Sequence, residues 1–424
     1  MNRFWLCFQL LFFLGSGFTQ TVNPILLADC FDDAKVHAEI SGRSALFARQ
    51  SQLRTAQLES SAKPAFWVNS RASLQTENVD LGIESPFFSS PDLPLAQFRL
   101  TLDGTWLVAD GGVRKAQIAQ EQALFQEQAQ SVEVELYGLR ERVNRPFFAI
   151  LLLRQQVRLL ESYRTDLLAR AAAMEGAVEA GAKTSADLER LRVQILRLDG
   201  EIEKAGIDIR GFFAMLSALT GKVYAEDTPL LAPEPPSGDW KESVSRPELQ
   251  LLTLQQQQIA SVQSLTEARR KPQVSAFVQT GVGYPNPLNF FEDQLSPFAL
   301  GGIQLSWKIP DRAQIRRDQE LIDIQNQLIE NRKAQFIQTI NQLDAKFRED
   351  FTALQVIMRQ YEAIAVRQEA IRLESAAQVE LGTLSVTEYL RDVQAALQTA
   401  LQLETCRIQL RQLYADFLTL KGKI

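Results

Sequence analysis

Histidine and cysteine are scarce in this chain, and each shortage closes off a class of chemistry. His37 is the only histidine among 424 residues. No cluster of cysteine or histidine accompanies it, so neither a metal site nor imidazole catalysis is expected. Of three cysteines, Cys7 lies in the N-terminal apolar segment. That leaves Cys30 and Cys406, too few for a disulfide framework. They read as separate packing residues, although an exported setting permits a bond between them. No nucleophile–base–acid arrangement is visible, so no enzyme activity and no cofactor are expected. Asp110-Gly111-Gly112 lacks the Lys-Ser/Thr of a phosphate loop and reads as a strand-to-helix turn. Positive charge is not in excess either. The formal charge is −6 and no basic patch is interleaved with aromatics, so nucleic acid is not an expected partner. Past the N-terminus there is no run of eighteen or more apolar residues, hence no candidate spanning helix.

What is present begins with a targeting segment. Asn2-Arg3 is weakly positive, Phe4 to Leu14 is almost wholly apolar, and Gly15-Ser16-Gly17 are small. Residues 1–20 read as a secretory signal peptide. A lipid anchor on Cys30 fits poorly, because Asp29 precedes the cysteine and the apolar run ends well upstream. The mature chain is therefore exported. It is either soluble outside the inner membrane or enters a membrane as β-strands.

The chain also repeats itself at an offset of 201 residues: Trp106 with Trp307, Asp110 with Asp311, Gly181 with Gly382, Arg190 with Arg391. The duplication divides it into a first repeat, 21–221, and a second, 246–424, joined by a proline-rich connector, 222–245. Each repeat opens with a helical pattern that stops at Lys-Pro (Lys63-Pro64, Lys271-Pro272), where proline removes an amide donor. The period then changes to two. Phe66, Val68, Ala72 and Leu74 alternate with Trp67, Asn69, Arg71 and Ser73. Phe98, Leu100, Leu102 and Trp106 do so with Arg99, Thr101 and Asp103, and the second repeat follows suit. Strands are expected at about 65–77, 97–108, 273–284 and 300–309, each with one apolar and one polar face. Their length suits a tilted transmembrane strand, and Trp67, Trp106 and Trp307 are candidate membrane-interface aromatics. The loops between paired strands are rich in Pro, Ser and Phe (Pro86 to Pro91; Pro285 to Pro287 with Phe290-Phe291) and suit the exposed end of a barrel.

Long helical hairpins follow, at 112–220 and 312–422. The 69 residue steps from Gly112 to Gly181 correspond to roughly 100 Å of helix, with Pro146 placed to interrupt it. The return helix of the first repeat has heptad spacing through Leu188, Leu191, Ile195 and Leu198. The second repeat places Asp392 and Thr399 where the first has Leu191 and Leu198. Its hairpin should therefore present a more polar face.

Four strands cannot close a barrel, and open strand edges are not tolerated in hydrocarbon. The strands must be shared among chains. The expectation is an oligomeric barrel continued by a helical cylinder.

At this point the residues resemble a family. The duplicated helix–strand–strand–helix–helix units, Leu27 to Cys30, Arg246-Pro247-Glu248-Leu249, Lys-Pro-x-Val-Ser at 271–275, Trp106 before Asp110-Gly111-Gly112, and the glycine hairpin turns together look like the TolC-type outer membrane efflux proteins. That resemblance implies a mainly α fold with a small β part: a trimeric twelve-stranded β-barrel in outer membrane lipid, continued by a long α-helical barrel in the periplasm. It implies a homotrimer, a periplasmic adaptor (membrane fusion) protein and an inner-membrane transporter as partners, and passive conduction of exported solutes. Adaptor docking would fall on the hairpin tips: Gly181, Lys183 and Thr184, and Gly382, Thr383 and Ser385. The resemblance also assigns the channel aperture to Asp187 and Glu388, six residues beyond each tip glycine, with Asp392 further along. Three-fold symmetry would make each a ring of charge. A plainer reading of the same acids is first-turn residues stabilised by the helix dipole. One departure is Leu384, where the family carries a basic residue able to lock the entrance; either Lys183 in the first repeat substitutes for it or the closed state is held differently. The competing reading of the whole chain is a soluble periplasmic coiled-coil scaffold, for which alternating strands ending in tryptophans have no use.

Overall fold

The structure is a computed structural model, and it describes residues 24–77, 94–236, 242–289, 294–309 and 311–424. The signal segment, most of the first strand-joining loop, Phe290-Phe291 and Pro310 lie outside the described residues.

A short strand β1 (Ile25–Leu26) and helix α1 (Leu27–His37) open the described chain, and a 3-10 turn links them to α2 (Gly42–Ser60). The opening helical pattern is therefore two helices bent at Ala38, whose backbone is extended (ψ 125°). Strands β2 (Ala65–Leu74) and β3 (Ala96–Ala109) follow, then α3 (Val113–Tyr137), α4 (Leu139–Glu179) and the returning α5 (Ser185–Thr220). After the two-residue β4 (Leu230–Leu231), which pairs with β1, the second unit repeats the order. It comprises α6 (Pro247–Arg269), β5 (Gln273–Tyr284), β6 (Ser296–Ser306), α7 (Arg312–Leu381) and α8 (Val386–Lys421).

The first unit's long helix divides at Gly138, not at Pro146. Pro146 lies inside α4 and is fully buried beside Phe147 and Phe148. Core packing there holds the helical path although the ring removes one backbone donor. α7 runs unbroken for 70 residues.

The four strands form one antiparallel sheet in the order β2-β3-β5-β6, so the two units meet at β3–β5. Register gives the sheet two unlike faces. One carries Phe66, Val68, Leu100, Leu102, Trp106, Val278, Val282, Ile303 and Leu305. The other carries Asn69, Arg71, Arg99, Thr101, Asp103, Gln279 and Gln304, with Trp67, Phe277, Phe298 and Leu300 among them, and is the more polar of the two. Much of the apolar face is bare: Val68 is 69% and Ile303 78% exposed. Among the described residues β2 and β6 have no outer neighbour. The duplication reaches single bonds, since Trp106 Nε1 donates to the Ala62 carbonyl (2.9 Å) and Trp307 Nε1 to that of Arg270 (3.1 Å). Ala62 and Arg270 each stand just before a Lys-Pro pair. Both indoles are thus pinned where the helices enter the sheet. Trp67 is different. It pairs with Asp103 on the polar face, so it does not share the apolar face that an interfacial aromatic needs.

Two large cores hold the helices together, beside smaller clusters around Leu265 and Phe417. One packs Leu27, Phe31, Phe147, Ile150, Phe213 and Leu216 with Cys30, anchoring α1 against α4 and α5. Cys30 has no exposed surface and burial pushes its thiol up to about 12. A side chain enclosed within a helix in this way is not placed to carry a lipid. Cys30 and Cys406 are both free and buried, so the permitted bond is not formed. The second core joins both hairpins near their tips, with Leu167, Leu188, Leu191, Val379, Val386 and Tyr389 among its members.

Candidate aperture at the hairpin tips

The two tips are built alike. In the first, Gly181 takes a left-handed conformation (φ 72°) and Ala182 N donates back to Ala177 O (2.8 Å). In the second, Gly382 (φ 78°) takes that role and Thr383 N donates to Gln378 O (2.9 Å). These residues also stand 201 apart. Such φ values favour glycine, and the backward bonds satisfy carbonyls left free at a helix end. Thr383 Oγ1 adds a second donor to Gln378 O (3.1 Å).

The returning helices begin with hydroxyl caps. Thr184 Oγ1 accepts from Asp187 N (3.3 Å), and Ser385 Oγ accepts from Glu388 N (3.2 Å). The acids reply. Thr184 Oγ1 donates to Asp187 Oδ2 (2.7 Å), while Ser385 N (3.2 Å) and Oγ (2.8 Å) donate to Glu388 Oε2. The second tip thus closes a full capping box. The Thr184 hydroxyl, then the Thr184 amide and Arg190, hold the Asp187 carboxyl below the usual carboxylate range. The Ser385 hydroxyl and amide do the same for Glu388. Both acids are therefore charged at neutral pH and both serve as helix-capping residues, as the plainer reading has it. They differ in compensation. Asp187 has an ion pair with Arg190 (2.9 Å), whereas Glu388 is exposed and has no ion pair among the described residues. Asp392 is turned elsewhere: it accepts from Ser375 of α7, inside its own hairpin.

Lys183 crosses between tips. Its Nζ donates to the Val379 carbonyl (3.0 Å) at the end of α7 and lies close to Gly382. A cation at a helix C-terminus is favoured by the free carbonyls there. A positive charge from the first hairpin thus sits at the tip of the second.

Above the tips lies a cluster that no spacing in the sequence announces. Asp166 Oδ2 on α4 accepts from Arg170 Nε (3.2 Å), from Arg372 Nη1 of α7 (2.8 Å) and from the Tyr389 hydroxyl of α8 (3.2 Å). Arg170 also reaches Glu380 (3.2 Å), and Arg372 reaches Glu369 (2.7 Å). Arg170 lies over the Tyr389 ring at 5.1 Å, a cation–π distance. Burial pushes the Tyr389 phenol up, and the bond to Glu369 does the same for the Arg372 guanidinium. A cavity of about 160 Å³ opens beside the cluster, lined by Arg170, Met174, Lys183, Leu191, Glu380 and Tyr389. The hairpins are thus tied to each other by charge as well as by apolar packing. The arrangement offers no nucleophile with a base and, among the described residues, no group able to hold a metal ion. It can present charge around an opening and a shaped surface to another protein.

The sequence matches no protein-family profile and no curated protein. Its fold does match solved structures. The outer membrane channel CmeC of Campylobacter jejuni is 12% identical, with 94% of this chain and 85% of that chain covered at a TM-score of 0.62. CusC, described for its transmembrane channel formation, is 14% identical over 93% of this chain and 91% of that chain (TM-score 0.67). The open state of the MtrE outer membrane channel of Neisseria gonorrhoeae is 11% identical over 93% and 88% (TM-score 0.63). At such identities the likeness is one of fold, and it extends over nearly the whole described chain.

Proposed function

We propose that this chain, which has the fold of the TolC-type outer membrane channels, is the outer membrane exit duct of an export system. The observation that carries the reading is the sheet. It has one bare apolar face, one more polar face, and two edge strands with no neighbour among the described residues. A bare apolar face of this size needs a covering, and unpaired edges in hydrocarbon need partners. Three copies, set edge to edge, satisfy both needs: their strands close one barrel, with the apolar face to lipid and the polar face to water. The unpartnered apolar side chains along α7, such as Leu321, Ile324 and Leu328, are then covered by neighbouring helices in a periplasmic cylinder. Among the described residues no helix is long and apolar enough to cross a membrane, so the strands alone would make the crossing.

In this reading the tips around Gly181, Lys183, Thr184, Gly382, Thr383 and Ser385 dock a periplasmic adaptor. An inner-membrane transporter supplies the work, and the duct conducts passively without chemistry on the solute. Glu388, exposed and with Arg391 near it but no ion pair among the described residues, is the stronger aperture residue. Asp187 is weakened by Arg190, and Asp392 by its bond within the hairpin. The test is reconstitution of purified protein in planar bilayers. Glu388→Gln should reduce cation preference and block by multivalent cations applied from the tip side, and Asp392→Asn should do so less. Identical selectivity in all three proteins would remove the aperture assignment.

A further inference from the structure

The polar face of the sheet holds a feature the tips do not explain. Register places Arg71 of β2 directly opposite Arg99 of β3, near the end of the sheet far from the helices. Residues so paired root their side chains about 5 Å apart on one face, where like charges repel. Both side chains are exposed, and neither has an ion pair among the described residues. Their row across the sheet is completed by Gly283 and Ser296, which bring no charge. Asp103 is the one carboxylate on this face of the four strands, and it is taken. Asn69 Nδ2 (2.6 Å), Thr101 Oγ1 (2.8 Å) and Gln279 Nε2 all donate to it. It also stands four residues from Arg99, roughly 13 Å along the strand. Two guanidinium groups therefore face the polar side with no ion-paired counter-charge among the described residues, in a chain whose overall charge is −6.

We propose that Arg71 and Arg99 form an anion-binding belt inside the exit end of the barrel, which favours solutes bearing phosphate or carboxylate groups. The inference rests on the duct reading, which turns this face toward the channel and brings three copies of the pair around one lumen. Guanidinium forks match the paired oxygens of phosphate and carboxylate, and basic rings line pores that pass anions. A low-dielectric wall, here the lipid-facing side of the same sheet, concentrates the field inside. The repulsion between the two arginines is then relieved whenever an anion bridges them.

The experiment uses purified wild-type trimers in planar bilayers, with inorganic tripolyphosphate added on the loop side. Reversible block is expected, weakening as salt rises and the charges are screened. The double variant Arg71→Gln/Arg99→Gln removes a repulsive pair and should assemble at least as well. It should need about tenfold more tripolyphosphate for the same block, a change on the scale of one close charge interaction. Its zero-current potential in a KCl gradient should move toward cation preference. Arg71→Lys/Arg99→Lys should retain most of the block, and Glu388→Gln, at the other end, should leave loop-side block unchanged. Equal block and equal potential in wild type and the glutamine variant would overturn the belt while leaving the duct intact. Wild-type trimers that conduct nothing would overturn the duct reading, and the belt with it.

Discussion

Replacing Asp166 by alanine should loosen one hairpin from the other near the tips. Asp166 accepts from Arg170, Arg372 and the Tyr389 hydroxyl, and these donors come from α4, α7 and α8. The three losses are unequal. Tyr389 is 1% exposed, so its hydroxyl would stay buried without an acceptor, at a cost of about 1–3 kcal/mol. Arg372 and Arg170 keep Glu369 and Glu380 as alternatives. The side chain of Asp166 is 33% exposed, so each ion pair is discounted to about 0.5–1 kcal/mol. The sum is roughly 2–5 kcal/mol. It should appear locally, because only the tip-proximal seam depends on this cluster. Native-state hydrogen exchange is the assay. Amides of α4, α5, α7 and α8 near the tips should lose about thirtyfold or more in protection, while the sheet and the core around Phe147 keep theirs. Tyr389→Phe, which removes one neutral hydroxyl, should cost about 1 kcal/mol. Unchanged protection near the tips in Asp166→Ala would refute the assignment of this cluster as the tie between hairpins.

The remaining predictions concern other parts of the fold. Burial pushes Asp416 up to about 6 from its ordinary 3.8, against the Asn144 amide that donates to it (2.8 Å). The folded state therefore holds a proton that the unfolded state releases, and stability should fall as pH rises from about 4 to 6, by an amount on the order of 2–3 kcal/mol. Asp416→Asn should flatten that slope in denaturation curves taken across the same window. Gly281 lies so close to β3 that an added Cβ would stand 2.0 Å from the Leu100 carbonyl oxygen. Gly281→Ala should cost about 1–3 kcal/mol or more through overpacking, read as loss of trimers on native gels. Gly382→Val meets only an ordinary contact with Lys183 Nζ (3.7 Å) but a left-handed backbone, costing about 1–2 kcal/mol. It should reduce crosslinking to an adaptor while trimers survive.

Much of the architecture was legible because two signals reinforced each other. Alternation marked the strands, and the offset between Trp106 and Trp307 marked the duplication. The tip glycines were legible for the same reason. Other features depend on what the chain packs against. Pro146 is a helix breaker by its covalent structure, yet its burial beside Phe147 and Phe148 keeps α4 continuous. The ends of β6 were blurred, because Gly301 and Gly302 carry no side chain to show alternation; the strand runs Ser296–Ser306 and leaves Trp307 just beyond it. Residue type groups Trp67 with Trp106, and register separates them onto opposite faces. The Asp166 cluster was out of reach, since its partners Arg372 and Tyr389 lie 206 and 223 residues away. Arg71 and Arg99 were in plain view as strand residues, but only the pairing shows that they face each other.

The account stands most directly on the number of chains in the membrane-extracted complex. Mass measurement of the detergent-solubilised protein should give three copies, whose four-stranded sheets complete one closed wall. A single copy that stays folded and dispersed with no detergent present would contradict it.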